Sequence, residues 1–115
     1  MLVLRRRLND TTYAGRDLDP KRVVETCDWC IRITRIVDSF DKPRVAADIT
    51  YASGEVEQVQ FTPQYPTVEV EGCVVKLVSI RTLVRADQSQ EPFVNLGFEA
   101  PPEVTIVRDN ARTTE

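Results

Sequence analysis

Cys30-Ile-Arg-Ile-Thr-Arg-Ile-Val37 alternates one side chain at a time. Ile31 and Ile33 lie on one face and Arg32 and Thr34 on the other, until two apolar residues end the pattern. Period two is the signature of a half-buried β-strand, and the same signal recurs outward in both directions. Residues 1–8 begin apolar and turn basic. Residues 44–51, 55–61 and 67–70 are further short β-rich runs, and 73–80 and 93–98 are dense in Val, Ile, Leu and Phe. Residues 104–107 close the series. Breaks fall at 41–43, at Ser53-Gly54, at 63–66, at 86–92 and at Pro101-Pro102. One segment reads as helix, where Asp19-Pro20 offers an N-cap and first-turn pair ahead of residues 21–27. The expected fold class is therefore all-β, a small antiparallel barrel or sandwich of interleaved strands with one short helix near residues 20–27. The polar tail, 110–115, reads as frayed.

A chain of 115 residues that is 42% hydrophobic is expected to form one small domain, or two very small ones sharing a core. No apolar run approaches the ~20 residues of a membrane span. No apolar h-region follows the basic start, so a cytoplasmic protein without a signal peptide is expected. Net charge is −3, which argues against an indiscriminate nucleic-acid coat. Its distribution is uneven: residues 1–50 hold 10 Lys/Arg and 8 Asp/Glu, residues 51–115 hold 5 and 10. The basic run is Arg5-Arg6-Arg7, so any polyanion site must be local. There is no histidine, and no Gly-rich phosphate loop or nucleophile elbow appears; an enzyme is not expected. Cys27-x-x-Cys30 has one further cysteine, Cys73, for company. Four zinc ligands would need a carboxylate or a second chain, so the cysteines read as structural thiols with no metal and no cofactor.

The two ends carry a resemblance. Met1-Leu-Val-Leu-Arg-Arg-Arg7-Leu8, continuing to Gly15, together with Val94-Asn-Leu-Gly-Phe-Glu-Ala-Pro101-Pro-Glu-Val104-Thr-Ile-Val-Arg108-Asp109, covers roughly a third of the chain. These segments resemble the first and last strands of the carbon storage regulator family, small bacterial proteins that bind messenger RNA. The resemblance implies that Leu4, Arg6 and Arg7 of the first strand, and Glu103, Val104, Ile106 and Arg108 of the last, form an RNA surface. It also implies that an exposed strand edge meets single-stranded GGA in an RNA loop, with Arg108 as its main arginine, and that binding represses translation by covering the ribosome-binding site. Arginine forks suit this task because they make paired bonds to phosphate and to guanine edges. The chain departs from the family in three places: Val107 stands where a histidine is usual, Asn9 where a glycine is, and Thr12-Tyr-Ala14 where an apolar stretch is. Val107 and the acidic second half motivate an alternative, a family-like protein-interaction module or decoy that has lost RNA binding.

Residues 18–72 have no counterpart in a minimal family member, which leaves residues 1–17 and 73–109 as the family-like strands. Two readings of the middle stand side by side, an insertion or half of a degenerate tandem duplication dividing the chain into 1–56 and 57–115. The second rests on a faint repeat: Cys30 onward matches Cys73 onward, and Pro43-Arg-Val45-Ala-Ala-Asp-Ile49 matches Pro92-Phe-Val94-Asn-Leu-Gly-Phe98. Minimal family members interleave strands as dimers, because about 60 residues bury too little surface alone. Symmetry favours a two-fold homodimer here, with a monomeric pseudo-dimer as the alternative.

Overall fold

The computed structural model describes residues 1–108; the tail expected to fray lies outside them. In chain order the elements are β1 (Leu2–Arg7), β2 (Thr11–Gly15), α1 (Val23–Thr26), β3 (Trp29–Val37), β4 (Arg44–Tyr51), β5 (Val56–Phe61), β6 (Thr67–Val70), β7 (Cys73–Val84), β8 (Gln90–Glu99) and β9 (Thr105–Arg108). They form two antiparallel sheets, ordered β1-β8-β7-β6 and β5-β4-β3-β2-β9. The all-β expectation holds. The architecture is two open sheets over one core, not a closed barrel.

Alternation fills that core. Ile31 and Ile33 of β3, Val45, Ala47 and Ile49 of β4, Val75 and Leu77 of β7 and Val94, Leu96 and Phe98 of β8 are all buried, with Trp29 and Phe61 as the largest apolar members. The helix is shorter than its sequence signal. Asp19 does not cap it; its carboxylate accepts the Lys21 N–H at 2.9 Å in a local turn, and helical residues begin at Val23. Asp and Asn side chains compete for nearby amides in this way, so an Asp-Pro pair can set a turn instead of a helix start. No helix among the described residues is long and apolar enough to cross a membrane.

The strand pairing carries an internal repeat. β3–β4 is interrupted by a bulge between Ile33 and Arg35, which face Ala47 and Ala46. β7–β8 is interrupted in the same place, between Leu77 and Ser79, which face Leu96 and Asn95. Ile33 therefore corresponds to Leu77 and Trp29 to Cys73, one residue away from the Cys30–Cys73 match read in the sequence. The flanking strands follow suit. β1 lies on β8 with Arg6 opposite Val94, as β5 lies on β4 with Phe61 opposite Val45. β2 lies on β3 with Ala14 opposite Trp29, as β6 lies on β7 with Val70 opposite Cys73. The middle of the chain contributes to both sheets: β3, β4 and β5 build most of one, and β6 borders the other. One piece breaks the symmetry: β9 pairs with β2, and no described strand takes the matching place on β6.

Candidate nucleic-acid interface

β1 and β9 are edge strands of different sheets, yet they flank one opening. Met1 and Leu2 on one side and Val104 and Ile106 on the other line a groove of about 440 Å³, with Phe98 and Pro101 at its base. Both strands run toward the same corner. Asp10 N–H donates to Arg7 O at 3.0 Å as the chain turns from β1 into β2, and Arg108 sits opposite Thr12 near the start of β2. The turn needs a left-handed residue, and Asn9 supplies it at φ 71°. The groove itself is lined by Met1, Leu2, Val104 and Ile106, and Arg7 and Arg108 lie beyond that lining, at the ends of the two strands nearest the corner. Gly97, opposite Val3 on β8, leaves room for the Met1 side chain, because a Cβ there would run into the Met1 sulfur.

The residues expected at an RNA surface are divided by this geometry. Leu4, Val104 and Ile106 are half-buried and pack against the common core beside the groove. Arg108 is exposed and makes no ion pair with any described residue. Glu103 pairs with Arg16 at 3.9 Å, at the end of the groove away from Arg108. Arg7 turns to the outer face of its sheet and meets Glu91 at 3.6 Å. Arg6 is the correction: it is only 1% exposed and lies in the core, not on a binding surface. The cause is register. Positions 2, 4 and 6 of β1 face the two-sheet interior because their partners on β8, Phe98, Leu96 and Val94, are all core residues.

The buried guanidinium is tolerated because its donors are used. Arg6 Nε donates to Arg5 O at 2.7 Å, Nη1 donates to Thr11 O at 3.2 Å, and Nη2 lies 3.9 Å from Asp10 Oδ2. Asp10 in turn accepts the Arg7 N–H at 2.8 Å, which ties the corner together. Arg5 stacks its guanidinium 4.3 Å from the Phe93 ring centre on the outer face of the sheet. It shares that face with Arg7, as alternation along the arginine run requires, since both must face away from Arg6. Arg16, which the sequence did not single out, is the partner of Glu103.

The counterpart of this groove, between β5 and β6, is built differently. No described strand stands there as β9 does beside β2, and Leu2 is replaced in the repeat by Glu57. That carboxylate accepts the Tyr51 hydroxyl at 2.7 Å, which pushes the phenol up to about 12. The charges of Glu71 and Glu55 lie close enough to push it the same way, so this face repels phosphate.

The cysteines stay out of the site. Burial pushes all three thiols above their ordinary range, so each is held protonated near neutral pH. Among the described residues no three His, Cys, Asp or Glu side chains are grouped to hold a metal. Protein purified without chelator is expected to carry no zinc by elemental analysis, and its thiols to alkylate more slowly at pH 7 than free cysteine. About one zinc per chain would overturn that assignment.

No protein-family model matches the chain, and no curated protein or solved structure is significantly similar to it.

Proposed function

We propose that this protein is a cytoplasmic, non-enzymatic RNA-binding regulator that takes single-stranded GGA-type motifs of messenger-RNA leaders into the β1–β9 groove and represses translation by occluding the ribosome-binding site. The observation that carries this reading is that β1 and β9, the strands that bear Arg7 and Arg108, form the two lips of one groove within a single chain. Unpaired main-chain groups on two strand edges can hydrogen-bond to base edges, and Arg108, exposed and in no ion pair with a described residue, can take a guanine or its phosphate. Val104, Ile106 and Pro101 supply apolar surface against which unstacked bases can lie.

Among the described residues every strand of both sheets comes from one chain, so the pairing does not call for an interleaved homodimer. The proposed state is a monomeric pseudo-dimer with one RNA site, its counterpart having become acidic. Light scattering is expected to give a mass near 13.1 kDa, with one hairpin RNA bound per chain. A stable two-fold dimer binding two RNAs would restore the homodimer expected from the sequence.

A second reading has a specific observation behind it. Arg6 is withdrawn into the core and Arg7 is paired with Glu91, so the groove offers fewer free cations than its sequence suggests. A protein-interaction module or decoy would need no more. Titrating a GGA-loop hairpin and a mutated-loop control across a salt series separates the two. RNA binding should favour the GGA loop and weaken steeply with salt, whereas absence of any loop preference would remove the RNA reading.

A further inference from the structure

Among the described residues β7 has a long edge with no strand beside it. β6 covers only its first residues, Thr67 opposite Lys76 to Val70 opposite Cys73, and the Pro66 carbonyl takes one more N–H, from Leu77, at 2.7 Å. From Val78 to Val84, β7 pairs among the described residues with β8 alone. This edge leaves a row of main-chain donors and acceptors open to an added strand. Alongside runs a groove of about 690 Å³, walled by Phe40 and Pro43 of the β3–β4 loop, by Pro63 and Pro66 of the β5–β6 turn, and by Leu77 and Ile80 of β7. A hydrogen bond from the Thr82 hydroxyl to Asp38 fixes the β3–β4 loop against β7, so the groove is a built feature. Its surroundings are apolar: Phe40 is fully exposed, and Val78, Leu83 and Val84 are 47%, 42% and 59% exposed. Lys76 and Arg81 stand on the same strand, and neither forms an ion pair with a described residue.

We infer that the free edge of β7 is a docking site for an extended acidic segment of a partner protein, which adds to the sheet as a strand with apolar side chains in the Phe40–Pro66 groove and carboxylates against Lys76 and Arg81. Strand addition supplies affinity through main-chain bonds and specificity through alternate side chains. The charge complementarity sets the partner's sign. A second copy of this chain fits poorly, because antiparallel β7–β7 pairing about its middle would set Arg81 beside its own image, and like charges across strands are destabilising. The edge faces away from β8 and therefore from β1, so it can be filled while the β1–β9 groove is occupied.

The test uses the full chain and two fluorescein-labelled peptides of about ten residues, one alternating valine with glutamate and one alternating valine with lysine. Fluorescence anisotropy should show saturable binding of the acidic peptide, about tenfold or more tighter than the basic one, with slowed amide exchange confined to residues 78–84. The variant Lys76→Glu/Arg81→Glu changes only solvent-facing positions, which its circular dichroism spectrum can verify, and it should reverse the order of the two peptides. Any of four results would overturn the inference: no saturation by the acidic peptide, a preference unchanged by the charge reversal, protection mapped to β1 or β9, or displacement of the peptide by hairpin RNA. Self-association through residues 78–84 without peptide would assign the edge to a second copy and overturn it equally.

Discussion

Arg6→Ala is expected to cost about 3–5 kcal/mol of folding stability, because it leaves the Asp10 carboxylate buried without its cation. Asp10 has a side chain only 9% exposed and keeps the Arg7 amide as a donor, but one neutral N–H does not replace a guanidinium. Arg6 also bridges the Arg5 and Thr11 carbonyls, so truncation strands acceptors on both β1 and β2. Native domains are stable by only about 5–15 kcal/mol, so the variant should unfold at much lower urea or partly at rest. The repeat suggests a rescue. Phe61 holds the equivalent place on β5 and is fully buried, which shows that this core accepts an apolar side chain there. Arg6→Met with Asp10→Asn removes both charges while an amide oxygen still caps Arg7, and should recover most of the loss. Equilibrium urea denaturation of the three proteins decides it. A loss under about 1 kcal/mol for Arg6→Ala would mean that the guanidinium is not a buried structural group.

The second large effect concerns RNA. Arg108→Ala should weaken binding of a GGA-loop hairpin by about 1–3 kcal/mol and relax discrimination at one guanine, the loss expected of a base-edge contact. Folding should be untouched, since Arg108 is exposed and ends its strand. Arg7→Ala provides the contrast. Its side chain is turned to the outer face and engaged by Glu91, so its removal should act evenly on all sequences and shallow the salt slope. Equal affinity of the Arg108→Ala protein and the parent for the GGA hairpin would remove Arg108 from the interface. Loss of affinity equal for GGA and mutated loops would make it a phosphate contact with no part in selection.

Most strands were legible in the sequence because each is half-buried and alternates, as Ile31 and Ile33 do against Arg32 and Thr34. The exceptions are instructive. β7 and β8 extend past their apolar stretches, through Leu83 paired with Glu91 and Val84 paired with Gln90, because two strands already joined continue their ladder without needing a buried face. The repeat was visible but one residue out of register in its first strand. Cysteine matched cysteine by type, whereas the structural equivalence follows the buried face and the bulge, which place Cys73 with Trp29.

What the sequence alone determined is the all-β class, the turn positions set by Pro, Gly and Asn9, and the placing of arginines in the first and last strands. It also fixed that Arg6 must face opposite to Arg5 and Arg7, because strand side chains alternate. Which of the two faces would be the inside was not in that pattern. The apolar flank Leu2, Leu4 and the basic flank Arg5, Arg7 share β1 with a charged residue on each side, and only pairing with Val94, Leu96 and Phe98 of β8 sent Arg6 inward. Tertiary structure likewise decided that β1 and β9 meet as lips of one groove, and that β9 fills a place beside β2 for which no described strand is the counterpart beside β6. Such choices depend on contacts between residues far apart in sequence, whose energies no local periodicity records.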